Sequence, residues 1–226
     1  MPRNGVYVFV LVSTCGTVAF GQRDASLTSG SSFGISGGIG ISLVNTTDIV
    51  DYINERAVQQ AKLDDFGLAS EFFGSAAVRM NNQWGVKLEY SYLLKSYNAS
   101  QTFASDVSYS YGVHMPTVIA QYLILGNGYA FKAGGGLGYH VARFTEEFSY
   151  GSTVYTSTGL GVELDAEANT EFDDHLFSYI SIDVRDDIMG EFQDPAGTRM
   201  YIASRGKNAK MNLFALGLKF GLLYYF

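Results

Sequence analysis

The chain has 226 residues, a formal net charge of −7, 47% hydrophobic residues and 16% charged residues. This length fits one domain, and this hydrophobicity excludes a disordered chain. The negative charge excludes a nucleic-acid-binding protein, which needs clustered Lys and Arg for phosphates. Past the N-terminus there is no uninterrupted apolar run of about 18 residues, so membrane-spanning helices are excluded as well. A composition with 26 Gly and 15% aromatic residues favours an all-β chain.

The N-terminal segment 1–21 has the features of a cleaved signal peptide. Arg3 supplies a positive charge, an apolar run follows at 6–12, and the small residues Ala19 and Gly21 predict cleavage after Gly21. Two alternatives are a buried first strand and a lipoprotein anchored at Cys15. Since Cys15 is the single cysteine, the cleaved chain would have none, as suits an exported protein that folds without disulfides.

Period-two alternation of apolar residues predicts eight strands, each long enough to cross a bilayer at a tilt. The predicted spans are 33–44, 69–80, 84–96, 107–125, 129–144, 154–170, 176–189 and 210–226. Three connections are short and rich in Asn, Asp and Gly, namely 81–83, 126–128 and 173–175, and four are long and polar, namely 45–68, 97–106, 145–153 and 190–209. Long and short connections alternate, so all the tight turns lie at one end of an up-and-down meander. A ten-stranded arrangement remains an alternative.

The two faces of the predicted strands differ in chemistry. In the last strand, Phe214, Leu216 and Leu218 share one face, while Gly217 and Lys219 share the other. A water-soluble barrel would have to place a large apolar side chain from every strand in one lumen, which an eight-stranded barrel is too narrow to hold. The pattern therefore predicts an all-β fold, an eight-stranded antiparallel transmembrane β-barrel whose apolar face meets lipid.

The C-terminus carries a motif in which a polar residue, a Gly and two aromatic residues are spaced as Lys219, Gly221, Tyr224 and Phe226. With the signal peptide and strand layout, the chain resembles the small outer-membrane β-barrel proteins, the group that includes OmpX, the OmpA transmembrane domain and OmpW. The resemblance implies an outer-membrane location and recognition of the four motif residues by the barrel-assembly machinery. It also implies long loops outside, both chain ends in the periplasm, a periplasmic segment at 22–32 and a barrel at 33–226.

The strand face that carries Gly and charged residues points inward in this arrangement, so its charged side chains lie in the lumen. The expected network contains Arg79, Lys87, Glu89, Lys132, Glu163, Asp165, Glu167, Asp183, Arg185 and Lys219. Five cations against five anions predict a neutral interior, either a salt-bridged core or, as the alternative, an ion-conducting pore.

The first long loop has helical character over 47–63. Asp48 lies near its start and Lys62 near its end, which complements the helix dipole, and apolar residues recur four apart from Ile49. Thr47 is the expected N-cap, and Gly67 follows the end. This helix would be a lid on the outer mouth, a partner-binding element, or an ordered loop resting on the barrel rim.

Enzymatic motifs are weak in this chain. His114, His140 and His175 have no nucleophile at a catalytic spacing, and no metal, phosphate or dinucleotide motif occurs. We therefore expect no catalytic residues, metal or cofactor. The expected function is a structural or surface-interaction role through the outer loops, with small-solute passage as the alternative and lipid modification as a third hypothesis. The expected partners are outer-membrane lipid and an extracellular ligand or envelope protein, and the chain is expected to be a monomer.

Overall fold

A computed structural model describes residues 33–56, 62–99 and 107–226. The predicted signal peptide and the segment 22–32 lie outside the described residues. The strands are β1 Phe33–Asn45, β2 Phe66–Arg79, β3 Trp84–Ala99, β4 Val107–Gly126, β5 Tyr129–Phe148, β6 Gly151–Asp173, β7 Leu176–Met189, β8 Tyr201–Ile202, β9 Lys207–Asn208 and β10 Leu213–Tyr225, and one α-helix, α1, spans Thr47–Arg56. Eight strands form a closed barrel in the order β1-β10-β7-β6-β5-β4-β3-β2, with every pair antiparallel. The predicted fold class and strand number are confirmed.

The barrel is apolar on its outside. Along β10, exposed Phe214, Leu216 and Leu218 alternate with buried Ala215 and Lys219. A similar exterior surrounds the barrel, where Leu137 on β5 is 70% exposed. Because such a continuous apolar surface requires a non-aqueous surrounding, the predicted orientation of the two faces is confirmed. Within the described residues, no helix has the length and apolar run needed to cross a membrane.

The barrel closes where β1 pairs with β10, and two glycines make this seam possible. Gly38 lies opposite Gly221. A Cβ at position 38 would lie 2.0 Å from the carbonyl oxygen of Phe220, and one at position 221 would lie 2.3 Å from that of Gly37. Side chains at these two positions would therefore force the first and last strands apart.

The three predicted tight turns are confirmed. They join β2 to β3, β4 to β5 and β6 to β7. The predicted long loop at 145–153 is wrong. Here β5 continues to Phe148 and β6 begins at Gly151, so only Ser149 and Tyr150 form a turn. Glu147 and Ser152 lie on the water-facing side of this extended hairpin, and Glu146 is buried on its other side.

Several other strand boundaries differ from the prediction by about three residues, and two of them are strand starts. β2 begins at Phe66, and β10 begins at Leu213. The loop between β7 and β10 is partly folded: β8 and β9 pair with each other, and a 3-10 helix spans Ala203–Arg205.

The helix α1 is shorter than the predicted 47–63. It is described to Arg56, and Lys62 and Leu63, which the prediction included, are not helical. The chain instead returns along the helix, since the Asn54 amide donates to the Leu63 carbonyl at 3.2 Å and accepts the Leu63 N–H at 2.8 Å. Gly67, the expected residue after the helix, belongs to β2.

Candidate functional site

The centre of the lumen is occupied by Arg185 on β7. Its guanidinium contacts Glu71 at 2.6 Å, Asp183 at 2.7 Å and Glu163 at 3.6 Å. Lys219 lies beside the same carboxylates, 3.5 Å from Glu71, and also pairs with Glu89. These side chains are almost completely buried. A charge removed from water in this way is tolerated only when it is paired and hydrogen-bonded, so this cluster holds the strands in one arrangement.

A second cluster continues the network toward the tight-turn end. Lys87 contacts Asp165 at 2.7 Å, Glu89 at 3.0 Å and Glu167 at 3.4 Å. Lys132 contacts Glu167 at 2.6 Å. The ion pairs thus cross the lumen from one wall to another, because Lys87 is on β3 and Asp165 is on β6.

The charge balance of the interior differs from the predicted five against five. Arg79 is only half-buried at the end of β2, whereas the other nine predicted residues lie inside. Glu71 and Asp187 are also buried in the lumen and were not predicted. Seven carboxylates therefore face four Lys and Arg side chains. Period-two parity could have identified both missed residues, since Glu71 shares a face with Phe73 and Asp187 shares one with Arg185.

The interior also contains a hydrogen-bonded chain of three polar side chains. His140 Nδ1 lies 2.9 Å from Asp187 Oδ1, and His140 Nε2 lies 3.2 Å from Thr117 Oγ1. This order resembles a nucleophile, base and acid, but all three side chains are at most 1% exposed. A substrate has no route to them, so the chain orders the interior. Among the described residues, no group of three or more His, Cys, Asp and Glu side chains could hold a metal ion.

The other two histidines lie outside the lumen. His114 faces outward on β4 and bonds to Tyr90, and His175 lies in the β6–β7 turn with its ring 5.8 Å from that of Tyr224. Neither of these two histidine side chains lies beside His140.

Above the ionic lumen, the outer end of the barrel is filled by an apolar core. We call this outer assembly the crown; it consists of α1, the outer ends of β3 to β6, and residues 190–212. Ile49, Tyr52 and Ile53 of α1 are fully buried in it, and the Tyr52 ring meets Phe144 edge-on at 5.8 Å. Phe192, from the β7–β10 loop, packs in the same core. The helix therefore seals the outer mouth, the lid position that was one alternative for it.

The water-facing side of α1 binds the β7–β10 loop through three carboxylates. Asp48 pairs with Lys207 at 2.7 Å, Asp51 pairs with Arg205 at 2.5 Å, and Glu55 accepts the backbone N–H groups of Ala203 and Ser204. Burial raises the pKa of Asp51, although Arg205 opposes the shift. The Ser204 hydrogen bonds lower the pKa of Glu55. These contacts tie the loop to the helix as one unit.

A further ion pair joins the end of α1 to the extended hairpin. Arg56 lies 3.4 Å from Glu146 on β5 and stacks over the Tyr52 ring at 4.2 Å. Burial raises the pKa of Glu146, and Arg56 partly offsets this shift.

At the tip of the extended hairpin, the exposed ring of Tyr150 lies on Phe148, which is partly buried against the crown core. Phe148 and Tyr150 stack with centroids 5.5 Å apart and planes 13° apart, and Tyr150 is 86% exposed. Tyr201, on the β7–β10 loop, is also exposed. Aromatic side chains are enriched in protein interfaces, so the exposed Tyr150 and Tyr201 are candidates for an interaction surface.

The opposite end of the lumen is closed by a smaller apolar cluster. Phe73, Phe177, Tyr179 and Leu223 are buried together, with Tyr225 against them. A cavity of about 30 Å³ beside them has Lys132 and Tyr225 in its lining, which is room for about one or two water molecules. In the described part of the chain, apolar side chains thus cover the ionic network from both ends.

The four residues of the C-terminal motif take different positions. Lys219 lies in the central cluster and Gly221 lies in the seam. Tyr224 and Phe226 are exposed toward lipid with their rings 5.0 Å apart, and the Phe226 N–H donates to the Phe33 carbonyl at 3.0 Å.

A closed antiparallel meander with an apolar exterior, an ionic interior and tight turns at one end defines a transmembrane β-barrel of the bacterial outer-membrane type. Solved structures of such proteins share this fold. The chain is similar to Ail, the attachment invasion locus protein of Yersinia pestis in complex with the heparin analogue sucrose octasulfate, with 16% identity, a TM-score of 0.54, and coverage of 87% of this chain and 99% of that one.

Two other structures match to a similar degree. Neisserial surface protein A has 12% identity, a TM-score of 0.54, and coverage of 88% of this chain and 100% of that one. A major outer membrane protein from Thermus thermophilus has 12% identity, a TM-score of 0.55, and coverage of 86% of this chain and 99% of that one. No family model matches the sequence, and no curated protein matches it.

Proposed function

We propose that this protein is a non-enzymatic surface-interaction protein of the outer membrane, in which the barrel is a closed anchor and the crown is the working part. The observation that carries the proposal is the folded crown, whose own apolar core contains α1, the extended hairpin and the β7–β10 loop. A connection that only joined strands would not need such a core. A rigid crown presents its surface with little loss of entropy on binding.

The stacked pair Phe148 and Tyr150 is the proposed contact point, and its partner is a protein. Aromatic side chains are enriched among the residues that carry binding energy in protein interfaces. The ligand of the Ail complex is a heparin analogue, but three of the four cations in residues 190–212 of this chain, Arg199, Arg205 and Lys207, are already paired with carboxylates. A polyanionic sugar is therefore a less suitable ligand for this crown than an uncharged protein surface.

Passage of solutes is disfavoured by the same geometry. Arg185 and Lys219 occupy the centre of the lumen, and apolar clusters cover both ends. We further propose that the chain is a monomer in outer-membrane lipid and that the barrel-assembly machinery reads Lys219, Gly221, Tyr224 and Phe226 during insertion. The exposure of the last two side chains toward lipid supports that interpretation.

Adhesion of cells that display the protein tests the proposal. Surfaces are coated with mixed extracellular-matrix proteins, with heparin or with albumin, and cells carrying an empty vector give the baseline. We expect adhesion above baseline on the matrix proteins, and a return toward baseline for Tyr150→Ser, which removes the exposed ring and leaves Phe148 packed against the crown core. Phe172→Ser is the matched control, because Phe172 is an exposed aromatic at the tight-turn end.

A heat-modifiability gel verifies that each variant is folded in similar amounts. Baseline adhesion by the wild-type protein on all three surfaces would refute the proposal, as would full adhesion by Tyr150→Ser. Adhesion to heparin alone would mean that the partner is a polyanionic sugar and not a protein.

A further inference from the structure

Polar side chains interrupt the apolar exterior on one side of the barrel, at the outer boundary of the belt. Tyr90 and Tyr92 on β3, His114 on β4 and Arg143 on β5 all lie on the outward face; we call them the boundary patch. The strand register brings them together, since Tyr92 is opposite His114 and Arg143 is opposite Gly112, two residues from His114.

The boundary patch is connected by specific contacts. Tyr90 Oη and His114 Nδ1 are 2.6 Å apart in a hydrogen bond. The Tyr92 ring lies against His114, with centroids 4.7 Å apart and planes 35° apart. His114 is thus held between two tyrosines, and its Nδ1 is used by Tyr90, which leaves Nε2 as the ring nitrogen for an external group.

Gly112 gives Tyr92 its position. A Cβ at residue 112 would lie 2.5 Å from Tyr92 Oη and 3.0 Å from two of its ring carbons. Because position 112 has no side chain, the Tyr92 ring lies across β4 with its hydroxyl over Gly112, and Gly112 pairs with Arg143. The tyrosine hydroxyl and the guanidinium therefore converge on one area of the surface.

Arg143 differs from the arginines of the crown. It is exposed, and within the described residues it makes no ion pair, whereas Arg56, Arg199 and Arg205 each do. The first carboxylate above it on the outward face of β5 is Glu147, about 13 Å further along the strand. The patch therefore presents an uncompensated positive charge where the apolar belt ends.

An apolar groove lies further along the same wall toward the tight-turn end, about 20 Å along β5 from Arg143 to its nearest lining residue, Leu137. Its volume is about 460 Å³, and its lining includes Val118, Ala120, Gly135, Leu137 and Val162. The small residues Ala120 and Gly135 give it depth between larger neighbours on β3 and β6. An apolar groove at this level faces the acyl chains of the lipid.

We infer that the boundary patch and the groove together bind one phosphorylated lipid of the outer leaflet, with its phosphate on Arg143 and His114 and a chain in the groove. Arginine is the preferred side chain for phosphate because its planar donors match the phosphate oxygens. Tyrosine is favoured at the membrane interface, where its ring is apolar and its hydroxyl is hydrated. The site would fix the orientation of the barrel wall relative to the lipid surface below the crown.

Native mass spectrometry of the full mature chain in detergent tests this inference. The probes are a bisphosphorylated lipid A, the same lipid after removal of its phosphates, and inorganic phosphate. We expect one lipid A molecule to be retained, with at least tenfold preference over the dephosphorylated lipid. Arg143→Gln should retain lipid A about tenfold more weakly, because a hydrogen bond to a charged group contributes about a factor of ten in affinity. Arg199→Gln, the same change in the crown, is the control and should retain the lipid normally.

A second variant separates the two parts of the site. Ala120→Leu fills the groove, so it should weaken retention of lipid A while the protein stays folded on a heat-modifiability gel. Equal retention of the two lipids, or normal retention by Arg143→Gln, would overturn the inference. Displacement of lipid A by millimolar inorganic phosphate would also overturn it, because the site would then be a simple anion site.

Discussion

Replacing Arg185 by Met tests whether the interior of the barrel is a dry, ion-paired core. Met has a similar length without a charge, and Arg185 already lies 3.7 Å from the sulfur of Met115. The change leaves Glu71, Asp183 and Glu163 without their shared guanidinium. It also raises the excess of carboxylates over Lys and Arg in the lumen from three to four.

The expected loss follows from burial. Removing one partner of a buried ion pair costs about 3–5 kcal/mol, because the remaining charge stays out of water. The matched control is Arg199→Met: Arg199 pairs with Glu191 at 3.1 Å, but its side chain is 57% exposed, and such pairs contribute at most about 1 kcal/mol. Adding Glu71→Gln to Arg185→Met should recover part of the loss, since it removes one of the orphaned charges.

Urea unfolding of the protein in lipid vesicles measures these differences. Trp84, the single tryptophan, is exposed to lipid at the tight-turn end, so its fluorescence reports the transfer of β3 from lipid to water. We expect a clearly lower midpoint for Arg185→Met than for Arg199→Met. Equal midpoints for the two variants would show that water screens the lumen charges, and the argument for a closed core would then be wrong.

Three more predictions concern the seam, the lumen and the crown. Gly221→Ala should slow barrel folding and lower stability, whereas Gly37→Ala, where a Cβ would lie 3.5 Å from its nearest neighbour, should have little effect on a heat-modifiability gel. The wild-type protein in planar bilayers should show no steady conductance, and a stable large channel would contradict the closed lumen. Because burial raises the pKa of Glu146 in the crown, the folded crown should gain stability as pH falls through that raised pKa toward the unfolded value of about 4.3. Amide hydrogen exchange of α1, corrected for the change of the intrinsic exchange rate with pH, should show this gain in the wild type and not in Glu146→Gln.

The barrel could be predicted from the sequence because its determinants are local. Alternation along one strand, such as Leu216 against Gly217 in β10, fixes which face meets lipid, and short Asn-, Asp- and Gly-rich turns fix which strands are neighbours. The lumen residues follow from the same parity. Their partners do not, since Arg185 and Glu71 are 114 residues apart and lie on strands that are not adjacent in the barrel.

The crown could not be predicted from local pattern alone. Residues 145–153 are mostly polar and were interpreted as a loop, although Phe148 and Glu146 continue the inward face of β5. The β7–β10 loop has no clear periodicity, and it folds because Phe192 and Met200 are buried against α1 and the hairpin. Such packing depends on partners distant in sequence, so tertiary contacts decide the local conformation.

One strand shows how the two parts of the molecule are combined. On β4, the inward face alternates Thr117 and Gln121 with Ile119 and Leu123 at the level of the lipid belt, and carries Tyr109, Tyr111 and Val113 above it. The inward face therefore includes polar side chains within the belt and is mainly apolar where the surroundings change from lipid to water. Below that level lipid covers the apolar exterior, and the interior must satisfy its own polar groups. Above it water surrounds the chain, and burying apolar side chains inside again becomes the stabilising contribution. The crown is thus an ordinary water-soluble core built on the strands of a membrane barrel, which is why it can hold the proposed contact surface in a fixed position outside the membrane.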